Sequence, residues 1–237
     1  MHRIGLSTLF AAVLLGCAQA SQQAPSAREQ VPPPVVDHHQ HFFSPELTRL
    51  VNPNSRPADS GGVQSIDADM LVAMLDSAGI RRALVLALGY SWGNPSRNVE
   101  NEYEKVKAEN DWVAAQVARH PERLRAFCSF NPLRDYAFDE LARCGANPHL
   151  RRGLKLHIGN SRVNYHNAEH LERLRAVFRA ANERRMPIVI HMRASGSQGL
   201  PYGREEARIF LDIRDCETDP LLRAEPDDAL PELHGHT

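Results

Sequence analysis

An α/β fold built on a parallel sheet is predicted by three observations on the 237-residue sequence. Five short stretches rich in β-branched and apolar residues begin near positions 35, 82, 124, 153 and 187. Amphipathic helical patterns separate them, the alternation expected of parallel strands with helices outside. Histidines stand toward the ends of the first, fourth and fifth stretches. A barrel built this way carries its chemistry at the C-terminal ends of the strands.

In chain order, Val35 to His41 opens with β-branched residues and reads as a strand. Met70, Leu71, Met74, Leu75 and Ala78 recur at helical spacing, and Gly79 can end that helix. Arg82 to Leu88 is an apolar run suited to a strand buried on both faces. Val99, Tyr103, Val106, Val113 and Val117 mark a long helix before Pro121. Leu124 to Asn131 is the third strand, and Phe138 and Leu141 mark a short helix after it. Gly153 to Ile158 is the fourth strand, followed by a helix on Leu171, Leu174, Phe178 and Ala181. Pro187 to Met192 is the fifth, with a last helix over Arg204 to Ile213. A doubly wound open sheet is the rival arrangement and calls for a Gly-rich turn after the first strand. Here His41-Phe42-Phe43-Ser44-Pro45 follows instead, which favours a partial (β/α)8 TIM barrel. About five βα units are expected, with strands six to eight missing. The first and fifth strands would then be unpaired edges, so self-association into a homo-oligomer is one way to cover them.

Outside residues 35–213 the character changes. Arg3 precedes an uncharged, mostly apolar run from Ile4 to Gly16, too short to span a bilayer and suited to a signal-peptide core. Two cleavage sites compete within residues 1–20. Leu14-Leu15-Gly16-Cys17 resembles a bacterial lipoprotein box with Cys17 as the lipidated residue, and Ala18-Gln19-Ala20 fits ordinary secretion. The lipoprotein reading is preferred, with export to the periplasm or an outer-membrane lipid anchor as the expected location. Residues 21–34 are polar, end in three prolines and read as a tether. Residues 214–237 hold three prolines and seven acids, which is incompatible with further buried strands, so a disordered tail is expected. His234-Gly235-His236 in that tail reads as incidental. With 42% hydrophobic residues the remainder can bury a core, and a net charge of −1 offers no field to attract nucleic acid or an anionic membrane. A small-molecule substrate is the better expectation. Cys128, Cys144 and Cys216 are too few and too scattered for a cysteine framework. Cys128 and Cys144 read as buried free thiols, with a disulfide between them as the alternative.

Side chains alternate along a strand, so Asp37, His39 and His41 share one face, and two histidines at i and i+2 can chelate one ion. His191 ends the fifth strand and reads as a third ligand. Lys155 and His157 share a face of the fourth strand. A lysine inside a barrel needs a partner or a chemical use. It reads either as a buried ion pair with Asp37, or as a carbamylated ligand or substrate-orienting group. His157 reads as binding substrate or metal. Phe42, Tyr90, Trp92 and Arg193 follow the strands and are the candidate pocket residues, suited to a ring-bearing or carboxylated substrate.

Four segments together carry a resemblance: Val36-Asp37-His38-His39-Gln40-His41-Phe42, Ser129-Phe130-Asn131-Pro132-Leu133, Gly153-Leu154-Lys155-Leu156-His157 and Pro187-Ile188-Val189-Ile190-His191. In this order they resemble the amidohydrolase-related family of metal-dependent hydrolases and non-oxidative decarboxylases, over residues 35–213. The resemblance implies a (β/α)8 barrel and a divalent metal, zinc being expected, with His39, His41 and His191 as ligands. In some branches a fourth-strand lysine is a carbamylated ligand, and Lys155 occupies that strand. The family also uses a sixth-strand histidine and an eighth-strand aspartate that have no counterpart here. Three functions follow as expectations: a hydrolase in which metal-activated water attacks a C–N or C–O carbonyl bond, a decarboxylase using the same site, and a truncated or frameshifted inactive chain.

Overall fold

The computed structural model describes residues 34–52, 65–192 and 203–215. Five strands, β1 (Val36–Gln40), β2 (Arg82–Leu86), β3 (Leu124–Ser129), β4 (Leu154–His157) and β5 (Ile188–His191), pair in parallel in chain order. The sheet curls into a half-barrel with six helices, the partial α/β barrel that the alternation predicts. The helices are α1 (Pro45–Val51), α2 (Ala68–Ala78), α3 (Glu102–Ala118), α4 (Ala137–Ala146), α5 (Ala168–Glu183) and α6 (Arg204–Asp215).

The burial of each strand follows from its place in that order. β2 and β3 lie inside the sheet and are apolar almost throughout because both faces are covered. β1 and β5 are the edges, and their residues are only half-buried or exposed. Val85, Leu86, Ala126, Cys128, Leu154 and Leu156 are fully buried and form the middle of the core, with Val106, Val113 and Leu174 packed against them from the helices. Register carries the strand ends together: Lys155 pairs with Val189 and His157 with His191.

Local signals account for the helix ends. Asp67 caps α2 by accepting from Met70 N, and Gly79 ends it in the left-handed conformation at φ 70°. Asn167 caps α5 through Glu169 N and His170 N. α1 and a 3₁₀ turn at Gly89–Ser91 lie outside the sequence periodicity because both are under two turns long. Yet α1 carries a start signal, Ser44 as cap followed by Pro45 in the first turn. Ser44 Oγ accepts from Leu47 N at 3.0 Å and donates to Glu109 Oε2 at 2.6 Å. This ties the segment after β1 to α3.

The free-thiol expectation for Cys128 and Cys144 is corrected. The two form a disulfide between β3 and α4, with Cα atoms 6.1 Å apart. Both are fully buried, because α4 packs on the helix-facing side of β3 and brings the sulfurs together. Beside the bridge, Asn110 of α3 clamps β3 end-on. Its Oδ1 accepts from Ser129 N at 3.1 Å and its Nδ2 donates to Ser129 O at 2.9 Å and to Glu140 Oε1 at 2.7 Å. Arg143 completes the cluster, donating to both oxygens of the buried Glu140 at 2.8 and 2.7 Å and pairing with Asp111. Glu140 is therefore a paired buried charge, whose removal leaves Arg143 and Asn110 unsatisfied.

The bridge closes a loop of sequence separation 16, which corresponds to about 3 kcal/mol of lost chain entropy in the unfolded state. The double variant Cys128→Ala/Cys144→Ala is expected to unfold in urea with a stability lower by about 2–4 kcal/mol. Equal stability of the two proteins under non-reducing conditions would contradict the bridge.

Candidate metal centre

Because all strands are parallel, their C-terminal ends gather at one mouth, which carries the histidines that end β1, β4 and β5. His39 and His41 protrude from the end of β1, their rings edge-to-face with centroids 5.0 Å apart. His157 and His191 end β4 and β5, and the register stacks their rings at 4.1 Å and 11°. The structure thus presents two histidine pairs. The ring nitrogens of His39, His41 and His191 do not all come within 4.8 Å of one another.

Hydrogen bonding assigns different roles to the rings. His41 Nδ1 lies 2.7 Å from Leu86 O. A carbonyl only accepts, so Nδ1 carries the proton and Nε2 keeps its lone pair, the arrangement that a metal-ligating imidazole needs. His157 is the reverse. Its Nδ1 accepts from Asn160 N at 3.0 Å, so the neutral ring carries its proton on Nε2 and offers a donor. Burial lowers the pKa of both His41 and His157 to about 4, and neighbouring cationic groups add to this, so both rings are neutral at pH 7. His39 is also held below its ordinary value, by burial first and then by Lys155.

The ion pair expected between Lys155 and Asp37 is not formed. Lys155 is 1% exposed and has no acidic partner among the described residues. Asp37 is instead engaged on its own strand, accepting from His39 N at 2.9 Å and from Gln40 Nε2 at 2.5 Å, because β1 bends between Asp37 and Gln40. Burial drives the Lys155 ammonium below its ordinary pKa, toward the neutral amine.

Of the predicted pocket residues, Tyr90 reaches the mouth, with its ring centroid 5.0 Å from that of His157. Its turn sits unusually close to β3: a Cβ on Gly89 would lie 2.4 Å from Ser129 O, and Tyr90 N donates to Ser129 Oγ at 3.2 Å. Glycine is therefore required at 89 for Tyr90 to lie where it does. Phe42, Trp92 and Tyr90 are all buried in the core. Phe42 is fully buried against Trp112, and Trp92 is 5% exposed beneath Lys105. Arg193 and Cys17 lie outside the described residues, as do the signal and tether segments, residues 193–202 and the tail from 216. One residue beside Tyr90 has no periodic signal in the sequence: Arg97, half-buried in the following loop, whose Nη1 donates to Ser91 O at 2.8 Å.

The donor set fits a borderline-soft divalent ion. His41 offers Nε2, His39 lies beside it on the same strand, and neutral imidazole suits zinc and its neighbours. Lys155 and His191 also lie close enough to His41 to help lower its pKa.

The neutral histidines also set a pH dependence. Unfolded, His41 and His157 titrate near 6.5; folded, near 4. Between these values the unfolded chain binds more protons, so stability is complete above pH 6.5 and declines as pH falls toward 4. Urea unfolding of chelator-treated protein is expected to show this decline, and His41→Gln/His157→Gln is expected to flatten it. The same slope in the double variant would contradict the assignment.

The comparisons agree with this architecture. Residues 36–207 match the sequence profile described as Amidohydrolase. The structure is similar to 5-carboxyvanillate decarboxylase from Sphingomonas paucimobilis, with 17% identity and a TM-score of 0.52, over 76% of this chain and 62% of that one. It is also similar to 5-carboxyvanillate decarboxylase from Novosphingobium aromaticivorans, solved with bound manganese and 3-methoxy-4-hydroxy-5-nitrobenzoic acid, with 16% identity and a TM-score of 0.52, over 68% of this chain and 51% of that one. At these identities the likeness concerns the fold, and the chain spans less than two thirds of either structure. No protein of curated function matches the sequence. With the profile extending over most of the sequence, from β1 into α6, the chain belongs to the amidohydrolase family.

Proposed function

We propose that the mouth is the β1–β5 side of a metal-dependent hydrolase site, acting on a carbonyl C–N or C–O bond of a small-molecule substrate. The observation that carries this reading is the hydrogen bond from His41 Nδ1 to Leu86 O, which leaves Nε2 free beside His39. His39 and His41 would hold the ion, with His191 as the further ligand. A divalent ion there, zinc by the chemistry of the donors, supplies a Lewis acid and lowers the pKa of water toward roughly 7. His157 donates from Nε2–H to a substrate oxygen. Tyr90 lies against His157 and closes one side of the mouth. Lys155, whose charged form is disfavoured by burial, would either donate to substrate or, once deprotonated, add carbon dioxide with release of a proton to give an anionic carbamate ligand.

Non-oxidative decarboxylation is the second reading, and a specific observation favours it. Lys155 and, beside Tyr90, Arg97 are cationic or basic groups with no acidic partner among the described residues, an arrangement that attracts a carboxylate. The decarboxylases of similar fold belong with this reading. Export is proposed as well. The Cys128–Cys144 bridge supports an oxidising compartment, as does the N-terminal apolar run, with Cys17 as the proposed lipid attachment.

Purified protein is expected to retain at least one divalent ion per chain by elemental analysis. His41→Ala is expected to weaken retention by more than the roughly 10–100-fold that loss of a supporting hydrogen bond costs. Unchanged metal content in this variant would contradict the ligand assignment. Metal-loaded protein is then assayed for hydrolysis of esters, amides and lactones and for release of carbon dioxide from aromatic acids. Inactivity in both with metal retained would support the inactive-chain reading.

A further inference from the structure

We infer that the end of the sheet formed by the N-termini of the strands docks on an anionic phospholipid bilayer and turns the histidine mouth away from it. The inference rests on the proposed export for its compartment and is independent of the metal site. Arg81-Arg82 leads into β2, Arg151-Arg152 into β4 and Arg184-Arg185 into β5. In-order parallel pairing brings these approaches to one end of the sheet, the end opposite the mouth. The starts of β2 and β3 are level, with Ala83 opposite Leu124, and those of β4 and β5 are level, with Leu154 opposite Ile188. β4 begins further along β3, opposite Cys128, so the arginines form two neighbouring groups. In the first group Arg81, Arg82 and Arg123 line one hollow, with Asp76 and Glu122 at its edge.

The charge at this end is only partly absorbed by the fold. Arg119 pairs with Asp69 and Arg123 with Asp76, and Arg184 lies 3.9 Å from Glu183. Arg119 and Arg184 also cap α3 and α5, where a cation suits the helix dipole. Arg81, Arg151, Arg152 and Arg185 stand beyond the helix caps. All four are exposed and have no acidic partner among the described residues. The net charge of −1 does not describe this end. Salt screens exposed charges beyond about 10 Å, so a bilayer meets the near face and not the molecular average. The chain also enters β1 here: Val35 O accepts from Arg81 N at 3.0 Å and from Arg82 N at 3.3 Å. Cys17, the proposed lipid attachment, lies 17 positions before Pro34. A lipid there tethers the chain through its basic end, and a basic patch is the second signal that steadies a lipid anchor. Anionic headgroups complement exposed guanidinium groups without a shaped pocket.

The test is flotation of the full chain with vesicles of phosphatidylcholine alone, or of phosphatidylcholine and phosphatidylglycerol in equal parts, at low and high sodium chloride. Wild type is expected to prefer the anionic vesicles and to lose that preference at high salt. Arg81→Gln/Arg151→Gln/Arg152→Gln/Arg185→Gln is expected to weaken anionic binding on the order of 100-fold, from about 5-fold per arginine near such a surface. Arg49→Gln/Arg162→Gln/Arg204→Gln/Arg208→Gln removes the same charge from exposed arginines of α1, the loop after β4 and α6. It is expected to stay within about 3-fold of wild type. Equal binding of wild type to both vesicles, or equal loss in the two variants, would overturn the inference. So would retention on soluble polyglutamate without flotation, which would assign this end to an acidic protein instead. Cys17→Ser is expected to lower binding to both vesicles alike and to keep the anionic preference. Unchanged binding in that variant contradicts the Cys17 attachment, whereas a lost preference contradicts the basic end.

Discussion

In-order parallel pairing of the five strands is the constraint on which the rest of the structure depends. Parallel strands send all their C-terminal ends the same way, so residues distant in sequence meet at one mouth without a dedicated contact between them. The register does the finer work. Pairing His157 with His191 stacks their rings, and the same ladder sets Lys155 opposite Val189, whose side chain supplies no counter-charge. A slip of one residue would turn each of these side chains to the opposite face.

Chemistry at the mouth then follows from burial and from which ring nitrogen is already occupied. A backbone carbonyl fixes the proton of His41 on Nδ1, and a backbone N–H fixes that of His157 on Nε2. Two residues of one type thereby acquire opposite capacities, one toward a metal and one toward a substrate oxygen. Around them the fold commits its acids elsewhere. Glu140 is locked between Arg143 and Asn110, Glu102 is held by Arg134 and Tyr136, and Asp37 is closed on its own strand. Lys155 is left buried without an acidic partner among the described residues.

Much of the frame was legible in the sequence. The apolar runs at β2 and β3 and the helical spacing in α3 and α5 depend on burial, and burial leaves a periodic trace, whereas in α2 only Leu71 and Leu75 of the predicted set are buried and Met70 and Met74 are exposed. His39, His41 and His191 were legible by their place at strand ends. What was not legible depends on contacts between segments. Whether Cys128 meets Cys144 depends on how α4 lies on β3, and whether Lys155 meets Asp37 depends on a bend in β1. The aromatic residues after β1 and β2 are all buried, and what sequence alone does not show is that Tyr90 also packs on His157. Arg97 escapes notice because an arginine in a polar loop has no pattern around it, and its partner is a backbone carbonyl.

The central claim is that His39 and His41 hold a divalent ion through ring nitrogens whose availability the fold determines. Anomalous diffraction from crystals of the zinc-loaded chain, collected on both sides of the zinc edge, tests it most directly. A peak is expected within about 2.0–2.1 Å of His41 Nε2, with His39 on the same ion. A peak bound through His41 Nδ1, or at His166 and Glu206 of α6 with none at β1, would contradict it.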